Sequence, residues 1–147
     1  MTNKIQRELI LPQPPPEVWQ ALTDPATLAQ WMYPNDFVPR IGHTFTFRVP
    51  PNPRIPDGVL IHCQVLECDP PTRLVFSWSA GTLNNTQVSY RLEPHPAGTR
   101  LLFEHANFDL TIPGCEGAMR GLDYGYSKMF EKLSAILAGI ASEHGKK

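Results

Sequence analysis

Tyr90 and His105 are the residues of this sequence best placed to do chemistry, because each lies in a run where every second residue is apolar. A buried hydroxyl or imidazole needs a hydrogen-bond partner. The two side chains could orient a carbonyl or hydroxyl of a ligand, or they could bond to each other or to a neighbouring helix. Together with Asp36 they could also form a general acid–base site in space.

Other signatures of catalysis or metal binding are missing. The sequence has no GxSxG elbow, HExxH helix, P-loop or GxGxxG turn, and its five histidines lack metal-ligand spacing. The cysteines Cys63, Cys68 and Cys115 form no CxxC pair, and in one regular strand Cys63 and Cys68 would face opposite sides. We expect reduced thiols, no metal and no cofactor, and the sequence leans away from an enzyme.

Composition limits the classes of partner. The chain has 147 residues and a formal net charge of -1, with 41% hydrophobic and 18% charged residues. This balance argues against a nucleic-acid binder and against disorder. No stretch approaches the ~20 apolar residues of a membrane helix, and no signal-peptide core opens the chain. We expect one cytoplasmic domain over residues 1–147, without a membrane span, as a monomer or a homodimer.

Periodicity predicts the elements that must position these residues. Alternation of apolar and polar residues predicts strands at 5–11, 44–49, 59–65, 73–78, 87–92 and 101–105. Two short helices are predicted after the first strand: Pro15 and Pro16 suit a first helical turn, and Thr23 or Asp24 can cap the helix that begins at Pro25. The pair 84–85, two asparagines, fits a hairpin turn.

In the C-terminal part of the sequence, the spacing of apolar residues changes from that of a strand to that of a helix. Apolar residues recur every three or four positions from Met119 to Ile140, which predicts a helix of roughly twenty residues or more, about 30 Å long. Gly114, Gly117 and Gly121 are placed before this helix. The pattern predicts an α+β fold in which a curved antiparallel sheet wraps around one long helix, leaving a wedge-shaped space between them.

The chain resembles the START-like superfamily, also called the SRPBCC or Bet v-like helix-grip fold. Within it, the chain is similar to the family named after the activator of the heat-shock-protein-ninety ATPase. The matching stretches span nearly the whole chain in order: 16–23 with Trp31, 42–45, 58–59, 71–78, 86–92, 98–105 and 125–133. The family's helix motif usually reads Gly-Trp, whereas Gly125 is followed here by Tyr126.

This resemblance implies a hydrophobic cavity for a lipid, sterol, polyketide or similar molecule. Alternatives are a protein-interaction module linked to a chaperone, for which 147 residues leave no room for the extra N-terminal domain of the larger activators, and a cyclase or hydrolase that uses the same cavity. Ordinary core packing is the favoured explanation for any single apolar residue, whereas for the set as a whole the fold favours a cavity. The expected lining comprises Trp31, Phe45, Phe47, Cys63, Phe76, Trp78, Tyr90, Phe103, His105, Met119, Tyr126 and Met129.

Two segments are candidates for a mobile rim around the wedge. Residues 49–57 carry four prolines, and residues 108–121 carry three glycines. Segments with few backbone hydrogen bonds, or with glycine in a helix, belong to the less stable parts of a fold. In a helix-grip cavity we expect a ligand to enter between the long helix and the loops at one end of the sheet.

Overall fold

Nine elements follow one another in the computed structural model, which describes residues 3–53 and 55–145. Their order is two helices after a first strand, then five strands, then a long helix. The bounds are β1 Ile5–Leu11, α1 Pro15–Thr23, α2 Pro25–Trp31, β2 Thr44–Val49, β3 Val59–Asp69, β4 Arg73–Ala80, β5 Leu83–His95, β6 Gly98–Ala106 and α3 Cys115–Gly145. The α+β helix-grip architecture predicted from the sequence is confirmed.

The six strands form one curved antiparallel sheet in the order β1-β6-β5-β4-β3-β2. Strands β2 to β6 pair with their sequence neighbours, and β1 closes the far side against β6. Buried and partly buried residues alternate along β6, because successive side chains point to opposite faces of the sheet. The buried set faces α3, and the polar set covers the outer face of the sheet.

The two short helices form where the prolines predict them. Pro15 opens α1, and the Asp24 carboxylate caps α2 by accepting a hydrogen bond from Thr27 N at 3.1 Å. The indole Nε1 of Trp31 donates to the main-chain oxygen of Ala21 at 2.9 Å, which locks the two helices together. Their apolar faces close one end of the wedge.

Arg7 fastens the long helix to the edge of the sheet. Its Nη2 donates to Asp123 Oδ1 at 2.6 Å, to the main-chain oxygen of Asp123 at 2.8 Å and to Ser127 Oγ at 3.1 Å. Arg7 lies on β1, whereas Asp123 and Ser127 lie in the N-terminal half of α3. These hydrogen bonds hold α3 against the sheet on the β1 side of the wedge. On the other side, towards β2 and β3, no comparable side-chain hydrogen bond joins α3 to the sheet among the described residues.

The start of α3 differs from the prediction. The helix begins at Cys115, so Gly117 and Gly121 lie inside it and only Gly114 precedes it. Ala118 N donates to Gly114 O at 3.1 Å, and Gly114 has a φ of +88°. Glycine costs a helix only about 1 kcal/mol per residue. Packing of the apolar face of α3 offsets that cost, so the helix extends through the glycines.

The predicted turn at the asparagine pair was wrong, and the condition of a regular strand for the cysteines is not met, since the strand register shifts near both places. The β4–β5 turn is at Gly81 and Thr82 instead of the asparagine pair, and Asn85, with a φ of +52°, lies within β5. Likewise, the register of β3 shifts between Val65 and Glu67, so that Cys63 and Cys68 face the same side. Each irregularity is a bulge, in which one extra residue reverses the alternation of faces.

Among the described residues, no helix is long and apolar enough to cross a membrane.

Candidate functional site

The predicted lining residues converge between the sheet and α3, where most of them form one continuous cluster of rings. Ring centroids lie 4.5 Å apart for Phe103 and Tyr126 and 5.6 Å apart for Phe47 and Trp78. Contacts at 4.5–7 Å between centroids are favourable aromatic packing. The deep part of the wedge is therefore filled by side chains, which include Phe45, Phe47, Phe76, Tyr90, Phe103, His105 and Tyr126.

His105 lies in a directed chain of hydrogen bonds. Thr86 Oγ1 is 2.7 Å from the main-chain oxygen of Trp78, so its only hydroxyl proton points there. Thr86 Oγ1 must then accept from His105 Nε2–H, also at 2.7 Å. In the neutral ring, His105 Nδ1 then lacks a proton and accepts from the Tyr126 hydroxyl at 2.8 Å. The network assigns one tautomer of His105 and links β4, β5 and β6 to α3.

Burial keeps this imidazole neutral. His105 is 0% exposed, and desolvation lowers its pKa to about 3. Both ring nitrogens are occupied by protein partners. The Asp36 carboxylate accepts from Thr46 N at 2.6 Å. Among the described residues, no hydrogen bond joins Asp36, His105 and Tyr90 into an acid–base site.

Tyr90 differs from His105 because its hydroxyl has no hydrogen-bond partner among the described residues. The side chain is buried against Phe76 and Phe103, with centroid distances of 6.3 Å and 5.3 Å. Burial, and to a smaller extent the Cys63 thiol, raises the pKa of the Tyr90 phenol. A neutral hydroxyl thus lies inside the wedge with its hydrogen-bonding capacity unused.

The mouth of the wedge is open. A cavity of about 570 Å³ lies between the N-terminal half of α3, the start of β3 and the β4–β5 turn. This volume is within the range of small-molecule sites, about 300–1,000 Å³. None of its described lining residues carries a formal charge. They are Tyr33, Val49, Asn52, Ile55, Gly58, Val59, Ile61, Trp78, Ala80, Gly81, Thr82, Leu83, Ala118, Gly121, Leu122, Gly125 and Met129.

Small residues on α3 create this space. Gly121 and Gly125, one turn apart, line the cavity together with Ala118. A Cβ atom added at Gly121 or Gly125 would meet no atom within 4 Å. On the opposite wall, Gly58 has a φ of +68°, and a Cβ there would lie 2.5 Å from Val49 O. Glycine is therefore dispensable for packing at the α3 positions, whereas the turn before β3 requires it.

Of the twelve predicted lining residues, Trp78 and Met129 border the cavity. Met119 is half-buried and packs against the core, and Trp31 lies against Phe130 with a centroid distance of 5.9 Å. The other eight belong to the filled part of the wedge. Whether they contact a ligand stays a prediction.

Sequence reasoning missed several wall residues. Ile61 and Leu122 could have been identified from the sequence, because they share the apolar periodicity of β3 and α3. Tyr33 follows α2 in an irregular segment, where no periodic pattern indicates a wall residue.

Both predicted rim segments lie at the mouth. Val49, Asn52 and Ile55 of residues 49–57 border the cavity, as do Ala118 and Gly121 of residues 108–121. Residue 54 lies outside the described residues. The first segment closes on itself through hydrogen bonds between Asn52 and Ile55, at 2.9 and 3.0 Å. Its described residues thus border the entrance, and its mobility stays a prediction.

Comparisons with solved structures agree with this fold. Protein MLL2253 from Mesorhizobium loti is 29% identical with a TM-score of 0.80, and the match covers 92% of this chain and 96% of that one. DynU16, described as a putative protein in the dynemicin biosynthetic locus, is 25% identical with a TM-score of 0.76 over 94% of this chain and 48% of its own. CalU16 from Micromonospora echinospora is 24% identical with a TM-score of 0.65, covering 97% and 82%.

The family comparison covers most of the chain. No curated protein matches. A family profile described as "Activator of Hsp90 ATPase homolog 1-like protein" matches residues 12–138. The chain belongs to this family of activator of Hsp90 ATPase homolog 1-like proteins.

Proposed function

We propose that the protein binds a small, uncharged and mainly apolar molecule in the cavity between α3 and the sheet. The observation that carries this proposal is the open space of about 570 Å³, walled by apolar side chains and by glycines of α3. Burial of apolar surface supplies about 25 cal/mol per Å², and an unpaired charge would be costly in such a site. A neutral ligand therefore fits best.

One comparison supports a product or intermediate of a biosynthetic pathway as the ligand. DynU16, which shares the fold at 25% identity, is described as a putative protein in the dynemicin biosynthetic locus. A flat fused-ring molecule would also match the lining, because Trp78 and Tyr33 offer aromatic surfaces on two walls of the cavity.

The hydrogen bonds favour binding over acid–base catalysis. A general acid or base must reach the substrate with a free proton or lone pair. Both nitrogens of His105 are used by Thr86 and Tyr126. The family description names a chaperone activator, but the apolar surface described here lies within a recess, which suits a small molecule better than a protein partner.

Cavity filling tests the proposal. Gly121→Leu places a side chain where the structure has open space. We expect it to weaken binding of the tightest member of a panel of fatty acids, sterols and flavonoids by tenfold or more, as measured by calorimetry. Both this variant and the control below gain roughly 1 kcal/mol of helix propensity, so protein stability is not lost.

The matched control is Gly117→Leu, one turn earlier on α3. Gly117 also has open space beside its Cβ position but does not line the cavity. It should leave binding unchanged. Equal binding by the wild type and the Gly121→Leu variant would place the ligand elsewhere, and absence of binding across the panel would contradict the proposed function.

A further inference from the structure

Polar side chains are few in the wall of the cavity. Among the described residues of the wall they are Tyr33, Asn52, Trp78 and Thr82. The Asn52 amide is used within its own loop, where Nδ2 donates to Pro50 O at 3.2 Å and Oδ1 accepts from Ile55 N at 3.1 Å. Trp78 is 1% exposed, because its ring packs against those of Phe47 and Tyr126. The polar groups most open to a ligand are therefore the hydroxyls of Tyr33 and Thr82.

Both hydroxyls have hydrogen-bonding capacity to offer. Tyr33 and Thr82 are partly exposed, and both line the cavity directly. Neither hydroxyl has a hydrogen-bond partner among the described residues, and neither oxygen is sealed from solvent as the unpaired Tyr90 hydroxyl is. Burial raises the pKa of the Tyr33 phenol, so this group keeps its proton at neutral pH. Each hydroxyl can donate to a ligand oxygen without breaking a bond inside the protein.

The cavity is elongated along α3. The α3 residues of its wall lie on one face of the helix and are Ala118, Gly121, Leu122, Gly125 and Met129. From the first to the last, this stretch is about 16 Å long at 1.5 Å per residue. All five side chains are small or apolar, so the middle of the cavity offers apolar contacts.

The two hydroxyls belong to opposite ends of this stretch. Thr82 lies at the start of α3, since its Cγ2 atom is 3.2 Å from the position of a Cβ added at Gly114, directly before the helix. Tyr33 follows α2, whose Trp31 ring is 5.9 Å from the ring of Phe130, one residue beyond the far end of the wall. An apolar cavity with a donor at each end matches an elongated molecule with an oxygen at each end.

We propose that Tyr33 and Thr82 are the specificity-determining residues of the cavity, each donating a hydrogen bond to one of two oxygens at the ends of an elongated, uncharged fused-ring ligand. This inference rests on the proposed function. The apolar wall between the hydroxyls supplies affinity through burial and, having no formal charge, selects against ionic ligands. A ligand with a single oxygen leaves one of the hydroxyls without a partner and binds more weakly.

The first test is thermal unfolding without ligand. Tyr33→Phe and Thr82→Val each remove a hydroxyl that has no protein partner and nearly preserve the shape of the side chain. Their melting temperatures should therefore equal that of the wild type. Tyr126→Phe, which removes the donor to His105, should melt at a lower temperature. A lower melting temperature for Tyr33→Phe or Thr82→Val would show that the hydroxyl is already bonded within the protein, and would overturn the inference.

The second test compares two steroids by calorimetry: androstanedione, with a carbonyl at each end of its fused rings, and androstan-17-one, with one carbonyl. The wild type can form one more hydrogen bond to the first, so it should bind androstanedione about tenfold more tightly. Tyr33→Phe and Thr82→Val each keep one of the two hydroxyls and should bind both steroids equally. The matched controls Tyr124→Phe and Thr44→Val remove exposed hydroxyls outside the cavity and should keep the preference.

The outcomes separate the two proposals. If Tyr33→Phe or Thr82→Val keeps the preference, another donor such as the Trp78 indole holds the second oxygen, and the inference is overturned. If the wild type binds both steroids equally, the inference fails and the proposed function stands. If the wild type binds neither steroid but binds another member of the panel, the inference again fails alone. If it binds no member of the panel either, the proposed function fails with it.

Discussion

At the residue scale, His105 joins sheet and helix only in its neutral form. Its Nε2–H donates to Thr86, and its Nδ1 accepts from Tyr126. Protonation would put a positive charge where no solvent reaches and would remove the lone pair that Tyr126 uses. The imidazole is thus a structural connector, and its titration belongs to the stability of the fold.

This arrangement predicts a pH dependence of stability. The pKa of His105 falls from 6.5 to about 3 in the folded protein. Between these values the unfolded chain binds the proton and the folded chain does not, so lowering the pH favours unfolding. The free energy of unfolding should fall by up to about 1.4 kcal/mol per pH unit from this group. Urea unfolding at pH 7, 6 and 5 measures it.

Two variants isolate the contribution of His105. His105→Gln should lose this part of the slope between pH 6.5 and 5, where most carboxylates remain ionised. His62→Gln, at an exposed position on β3, should keep the wild-type slope. Parallel curves for the wild type and His105→Gln would mean that another group sets the acid sensitivity.

At the element scale, local periodicity predicted the strands and helices because each buries one face. Predicted β2, at 44–49, has the observed bounds. The predictions failed where the position of a turn, or the face to which a side chain points, depends on how neighbouring strands pair. The bulges near Val65 and Ser79 depend on the neighbouring strand, so neither the turn at Gly81 nor the shared face of the β3 cysteines could be inferred from one segment. Packing of the apolar face of α3 similarly allows the helix to continue through its glycine residues.

The two rim segments lead to a prediction about hydrogen exchange. Residues 49–57 and 108–121 border the mouth from opposite sides, and the second includes the glycine-bearing start of α3. Without ligand, their amides should exchange faster than those of the β5–β6 pair, whose strands both lie inside the sheet. Addition of the tightest-binding panel member should slow both segments together, as measured by exchange and mass spectrometry.

Protection of only one segment would place the entrance on that side. Protection of neither, under conditions where calorimetry shows binding, would show that the rim does not close over the ligand. The β5–β6 amides serve as the internal reference, because their strands pair along nine residues.

At the scale of the whole molecule, the wedge is divided into a filled interior and an open mouth. The apolar pattern predicted that the residues of both parts would face α3. It could not predict which of them would fill the interior and which would border the open mouth. The same alternation places Phe76 in the interior and Trp78 at the cavity wall. The α3 wall of the cavity is formed partly by the small residues Ala118, Gly121 and Gly125, whereas Arg7 anchors α3 to the sheet on the β1 side.

Truncation of two leucines on α3 would test this division in solution. Leu133 is 0% exposed in the core, whereas Leu122 lines the cavity. Both changes to alanine alter helix propensity equally, so the difference reports packing. Leu133→Ala should cost about 2–5 kcal/mol of unfolding free energy, because it removes contacts and leaves a new void. Leu122→Ala should cost clearly less, because that side chain already borders empty space and has fewer contacts to lose. Chemical denaturation measures both, and equal losses would mean that the mouth is as tightly packed in solution as the interior.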